Sequence, residues 1–154
     1  MDRKEIANEL HKNGFNCAQA VAVAFCNTMG ADPVQAFKMA EPFGFGMGDS
    51  YGPCGALSGA CMVVGMKRSD ADLDNPKSKR DCYRLISAIK AEFNERVGAT
   101  VCHEIKGMDG GEQKLSCDGC IELGCELLDK YLLGIYPDGE EPDIKVIKNP
   151  NAKF

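Results

Sequence analysis

Between Asn75 and Gly98 the apolar side chains Cys82, Leu85, Ile86, Ile89, Phe93 and Val97 recur at intervals of three and four. That is the spacing of one face of an α-helix, and it does not fit the two-residue repeat of a half-buried strand. Asn75-Pro76 is read as the opening of this helix and Gly98 as its stop. The other apolar segments also lie between helix signals. Ile6, Ala7 and Leu10 share a face ahead of Gly14, which places a helix over about residues 3–13. Asn16 with Gln19 three residues on makes a capping box in front of an apolar run that stops at Gly30. Asp32-Pro33 opens a short helix to about Ala40.

After Glu41-Pro42 the chain becomes glycine-rich, and the stretch to Gly52 reads as a long loop. From Pro53 the run "PCGALSGACMVVGM" has neither alternation nor a polar face, as expected of a buried helix packed closely on its neighbours. Thr100 caps a brief turn through Ile105, "MDGGEQ" is a loop, and Asp118 is the expected cap of a helix running to Gly134. No linker or internal repeat divides the chain. The expected fold is all-α, a single compact domain of five to seven helices over residues 1–136. It carries a long glycine-rich loop and ends in an extended tail, 137–154.

At 154 residues the chain can bury its own core without a metal or disulfide. No apolar run reaches the length of a membrane span, so membrane insertion is not expected. The first residues, "MDRKEIANELHKNG", lack the basic-then-apolar order of a signal peptide, which makes the cytoplasm the expected compartment. Eighteen Lys and Arg against 23 Asp and Glu give a net charge of −5, and the basic residues are scattered. Nucleic acid, which needs clustered positive charge, is not an expected partner. The loop "GFGMGDSYG" follows no strand and is closed by no GK[ST], so it is not a phosphate loop. Of the two histidines, His11 reads as a surface residue, whereas His103 adjoins Cys102 and could support a site there.

Nine cysteines remain to be explained. An odd number without an export signal argues against a secreted disulfide framework and leaves metal ligation, redox chemistry or buried thiols. Four share an address at the expected helix starts: Cys17 after Asn16, Cys54 after Pro53, Cys102 after Thr100, and Cys120 after Asp118. Unpaired amides and the positive end of the helix dipole favour a thiolate there, the form that attacks disulfides and binds metal. Cys26, Cys61 and Cys82 fall inside helical patterns and read as core; Cys125 is also mid-helix, and Cys117 precedes the expected cap. Cys117-Asp-Gly-Cys120 is a lone C-x-x-C, a weak signal for zinc and, without a βαβ context, for a thioredoxin-like site.

The blocks "GFNCAQAV" at 14–21, "YGPCGALSGA" at 51–60, the Cys-containing turn at 102 and "CIELGCELL" at 120–128 resemble the redox-active protein family named for its signature, C_GCAxxG_C_C. The resemblance covers roughly residues 5–132. It places the four signature cysteines on Cys17, Cys54, Cys102 and Cys120, with Cys117 and Cys125 as alternatives for the last. It implies an accessory redox role beside an oxidoreductase or electron-transfer partner. A similar domain is joined to haem-binding sequence in split-Soret cytochromes, where an iron–sulfur centre is implied. This chain has no C-x-x-C-H, so covalent haem is not expected.

Three readings follow. In the first, the four cysteines hold a [2Fe–2S] or [4Fe–4S] cluster for electron transfer. In the second, two of them form a reversible disulfide, with Cys54 attacking and Cys17 as its partner. The third is a zinc-stabilised or plain helical interaction module. Homo-oligomerisation is left open by the sequence.

Overall fold

The computed structural model describes residues 2–135, so the tail expected over 137–154 and its boundary with the domain lie outside the described residues. The described chain is helical: α1 (Arg3–Lys12), α2 (Cys17–Met29), α3 (Pro33–Ala40), a 3₁₀ turn (Glu41–Phe43), the single turn α4 (Gly44–Met47), α5 (Gly55–Arg68), α6 (Lys79–Val97), α7 (Cys102–Ile105) and α8 (Cys117–Leu133). The all-α expectation holds. Gly30, Gly98 and Gly134 end α2, α6 and α8 as left-handed caps.

Helices α2, α5 and α8 pack on one another at the centre, with α1, α3 and α6 around them. Helix α2 has no polar face because it is covered on nearly every side: Ala18, Ala20, Val21, Ala22 and Phe25 are all fully buried. Ala56, Ala60, Val63 and Val64 of α5 meet Ile121, Leu127 and Leu128 of α8 and Leu85, Ile89 and Phe93 of α6 in one continuous core. Each large apolar side chain withdrawn from water there contributes about 1.5–3 kcal/mol.

Helix α1 runs antiparallel along α8. Arg3 Nε donates to Asp129 Oδ1 at 2.7 Å, Asn8 Nδ2 to Glu122 Oε1 at 2.7 Å, and His11 Nδ1 lies 2.7 Å from Asp118 Oδ1. On the other side of α8, Glu92 of α6 accepts from Lys130 Nζ and Tyr131 Oη, both at 2.8 Å.

Several boundaries differ from the sequence reading, and the segment read as a loop after Pro42 contains α4. Helix α6 starts at Lys79, not near Asn75, because residues 69–78 fold on their own side chains: the Asp70 amide donates to Ser78 Oγ, and Asp70 Oδ2 accepts from the Lys77 amide. Helix α5 starts at Gly55, since Pro53 is taken by an antiparallel bridge to Val101. Helix α8 starts at Cys117 under a Ser116 cap, whose Oγ accepts from the Gly119 amide at 3.0 Å. Cys61, expected in the core, is exposed: the apolar run of α5 is longer than the face that α2, α6 and α8 cover.

The α2–α5 crossing depends on glycine. A Cβ on Gly59 would stand 2.8 Å from the Ala18 carbonyl oxygen and 3.0 Å from Val21 Cβ, whereas one on Gly65 of the same helix would meet nothing within 4 Å. Gly59→Ala is expected to lower stability by roughly 1–3 kcal/mol through overpacking. Gly65→Ala should raise it by up to about 1 kcal/mol through helix propensity. Urea melts of the two variants check the pair, and equal effects would refute the close-approach argument.

Candidate functional site: a pocket of five cysteines

Asn16 closes the capping box that the sequence suggests: its Oδ1 accepts from the Gln19 amide at 2.9 Å, and its own amide donates to Gln19 Oε1 at 3.0 Å. Cys17 is thereby the first residue of α2. Its sulfur rests where a Cβ on Gly55 would be, which is why glycine follows Cys54. Cys54 is the N-cap of α5 and not a first-turn residue, and it is 6% exposed.

Cys102 opens α7 behind Val101, not behind a Thr100 cap. It is held by pairing with the segment before α5: the Cys54 amide donates to the Thr100 carbonyl at 2.7 Å, the Cys102 amide to the Gly52 carbonyl at 3.1 Å, and the His103 amide to the Ser50 carbonyl at 2.7 Å. Gly46, in the left-handed region at φ 55°, lies so close that a Cβ there would stand 2.6 Å from Cys102 Cβ.

In α8 the helix-start address belongs to Cys117, with Cys120 one turn further in. The sequence reading placed Asp118 at the cap and Cys120 in the first turn; the Ser116 hydroxyl takes the capping role because it reaches the Gly119 amide.

These segments bring Cys17, Cys54, Cys102, Cys117 and Cys120 to one pocket, a cavity of about 150 Å³ whose other walls include Phe45, Ile105, Lys106, Leu115 and His11. All four cysteines singled out by capping and by resemblance line it. Cys117 is the addition, and its signal was available in "LSCDGC", where Ser116 competes with Asp118 as cap. Cys125 does not line the pocket; it is fully buried in the core, and burial pushes its thiol up to about 12. Cys26 is buried too, its thiol donating to the Ala22 carbonyl at 3.4 Å.

The glycine-rich loop meets the pocket through Phe45, over whose ring Lys106 Nζ sits at 5.3 Å. His11 is not a free surface residue but a pocket wall tied to Asp118. His103 serves the loop beside the site: its Nδ1 lies 2.8 Å from Ser50 Oγ, its Nε2 lies 2.7 Å from Asp109 Oδ1, and Tyr51 stacks on its ring.

The thiols lie around the cavity and do not converge: among the described residues no group of three or more His, Cys, Asp or Glu is placed to hold a single metal ion. Their electrostatics differ from the sequence expectation. Burial, then the neighbouring Cys54, pushes the Cys17 thiol up, against the Phe45 and Ala18 amides. Contact with the Cys120 thiol, then burial, pushes Cys54 up, against the Ala56 and Leu57 amides. Burial pushes Cys102 up, Lys106 opposes it, and Cys54, Cys17 and Cys117 add to it. Helix starts do favour the thiolates here, but desolvation and the crowding of like groups outweigh them.

A pH dependence follows for the reduced, metal-free protein. In the fold these thiols keep their protons above the ordinary thiol value of 9.0. Once the unfolded chain's thiols ionise, the folded state binds more protons than the unfolded one. Their contribution to stability is therefore complete below about pH 9 and is lost as pH rises through the folded values. Urea midpoints should fall between about pH 8 and about pH 10, and fall less in a Cys17→Ala/Cys102→Ala variant. An equal fall in the variant would mean that the pocket thiols do not carry the effect.

No curated protein and no solved structure was found to match the chain. Residues 15–131 match the family model described as "Putative redox-active protein (C_GCAxxG_C_C)". That match takes in α2 through almost all of α8 and every cysteine of the pocket, and the chain belongs to this family.

Proposed function

We propose that the protein is an electron carrier whose pocket cysteines hold an iron–sulfur cluster and which exchanges electrons with an oxidoreductase or electron-transfer partner in the cytoplasm. The observation that carries this reading is the meeting of five thiols, delivered by four separate segments, around one largely apolar cavity. An all-sulfur donor set is the one iron–sulfur centres use, and a cavity with thiols around its wall has room for several atoms among them.

Cys17, Cys54 and Cys102 are the first three ligands, with Cys120 or its neighbour Cys117 as the fourth. When bound, the cluster supplies one-electron redox chemistry. The chain's own residues do the rest. The Phe45, Ala18, Ala56 and Leu57 amides face the sulfurs of Cys17 and Cys54 and favour their thiolate forms. Lys106 does the same for Cys102. Phe45, Ile105 and Leu115 keep water from the walls. Thiols that burial holds protonated must release those protons to bind metal, so loading is expected to strengthen as pH rises.

Protein purified without oxygen should contain iron and acid-labile sulfide and absorb in the visible. Cys54→Ser and Cys102→Ser should each lose most of both while keeping helix content, and Cys26→Ser and Cys125→Ala should keep both. Absence of iron and sulfide from the anaerobic wild-type protein overturns the reading, as does their survival in Cys54→Ser.

A further inference from the structure

Three of the pocket thiols, Cys117, Cys120 and Cys54, are linked as successive neighbours. Cys117 and Cys120 occupy the first and fourth positions of the 17-residue helix α8. Side chains three apart on a helix are neighbours, with Cβ atoms about 5–6 Å apart. A small opening of the first turn brings that within disulfide range. The two differ in access: Cys117 is half-buried at the pocket, and Cys120 is 2% exposed. Cys120 and Cys54 line the same pocket, and the Cys120 thiol, as its neighbour, pushes the Cys54 thiol up. Cys26, Cys61, Cys82 and Cys125 do not line this pocket.

We propose that the metal-free protein is a thiol–disulfide exchange protein for low-molecular-weight disulfides, in which Cys117 attacks, Cys120 resolves, and the oxidation ends as a buried Cys54–Cys120 disulfide. Access favours a small substrate: a cavity of about 150 Å³ beside half-buried Cys117 has room for one arm of a small disulfide.

In the first step Cys117 loses its proton to water and its sulfur bonds to one sulfur of R–S–S–R; the S–S bond breaks and R–S⁻ leaves, taking up a proton. In the second step the Cys120 sulfur attacks the Cys117 sulfur of the mixed disulfide and releases the second R–SH. In the third, Cys54 attacks the Cys120 sulfur, forming Cys54–Cys120 and freeing Cys117 as a thiol. The net change oxidises two protein thiols to one disulfide and reduces R–S–S–R to two R–SH, two electrons passing. This assignment moves the attacking role from Cys54, which the sequence favoured, to the more accessible Cys117. It does not rest on the cluster reading, because no step involves metal.

The test uses the full chain, reduced, treated with chelator and desalted without oxygen, then given oxidised glutathione, quenched by alkylation and mapped by peptide mass spectrometry. Wild type should end with Cys54 joined to Cys120 and Cys117 alkylated. Cys54→Ser should stop at Cys117–Cys120, and Cys120→Ala at a glutathione adduct on Cys117. Cys117→Ser should slow formation of Cys54–Cys120 about tenfold or more. An adduct on Cys17 in Cys120→Ala, or a wild-type end product without Cys54, overturns the proposal. Circular dichroism confirms that each variant is folded; should Cys120→Ala fail to fold, the wild-type and Cys54→Ser maps decide alone. Iron content does not enter this readout, so the two proposals succeed or fail separately.

Discussion

The close crossing of α2 and α5, with the Cys17 sulfur lying over the backbone of Gly55, is the constraint on which the rest of the structure depends. Any side chain at position 55 would occupy the space of that sulfur, and any at 59 would press on the Ala18 carbonyl. Small residues on α5 thus let α2 sink until it is buried along most of its length. The capping box at the head of α2 is built into the same junction. Asn16 Nδ2 donates to the Glu41 carbonyl at 2.9 Å and Gln19 Nε2 to the Phe37 carbonyl at 3.2 Å. The side chains that start α2 therefore also fix α3 and the turn leading to the glycine-rich loop. Packing, capping and the placement of one pocket thiol are a single arrangement.

The thiols show two opposing effects on one group. A helix start favours a nearby negative charge by about 0.3–1 kcal/mol at an exposed position, whereas full burial of an ionisable group shifts its titration by up to about 3–5 units. Cys54 and Cys102 are almost completely buried, and Cys17 and Cys54 each face a neighbouring thiol. The larger effect wins, and the reduced Cys17, Cys54 and Cys102 keep their protons. An electropositive occupant, or a disulfide that removes the ionisable protons altogether, would relieve the same tension. Both proposed chemistries draw on it.

Much of this was legible in the sequence because helix caps are local signals. Asn16, Gln19 and Gly30 define α2 without reference to any other part of the chain, and the three-and-four spacing from Leu85 to Val97 defines the buried face of α6. What misled was also local. Ser116 and Asp118 are both good caps, and only the reach of the Ser116 hydroxyl to the Gly119 amide decides between them. Asn75-Pro76 has the form of a helix start, but Asp70 folds the preceding segment back on Ser78 and Lys77. The bridge between Pro53 and Val101 joins residues far apart in sequence with no strand pattern on either side, so no periodicity could announce it. Cys61 looked like core because its helix is apolar nearly all round, and which side is covered depends on neighbours that a single helix does not specify.

That bridge also divides the pocket into two kinds of wall. Cys54 and Cys102 sit on segments tied together by backbone hydrogen bonds from Cys54 to Thr100 and from Cys102 to Gly52, with His103 bound to Ser50 through both amide and ring. Cys17 sits at the head of the most buried helix. These three thiols are held by backbone and core. Cys120 is core as well, but Cys117 is held differently: the first turn of α8 rests on the exposed Ser116 cap, on Leu115 against Gly119, and on the contact of His11 with an exposed Asp118. Side-chain contacts near the surface cost far less to rearrange than buried backbone bonds. A change in what the pocket holds, whether metal or a new disulfide, is therefore taken up at the start of α8. Of the five thiols, Cys117 is the one whose wall rests on exposed side-chain contacts, while Cys120 is packed in the core.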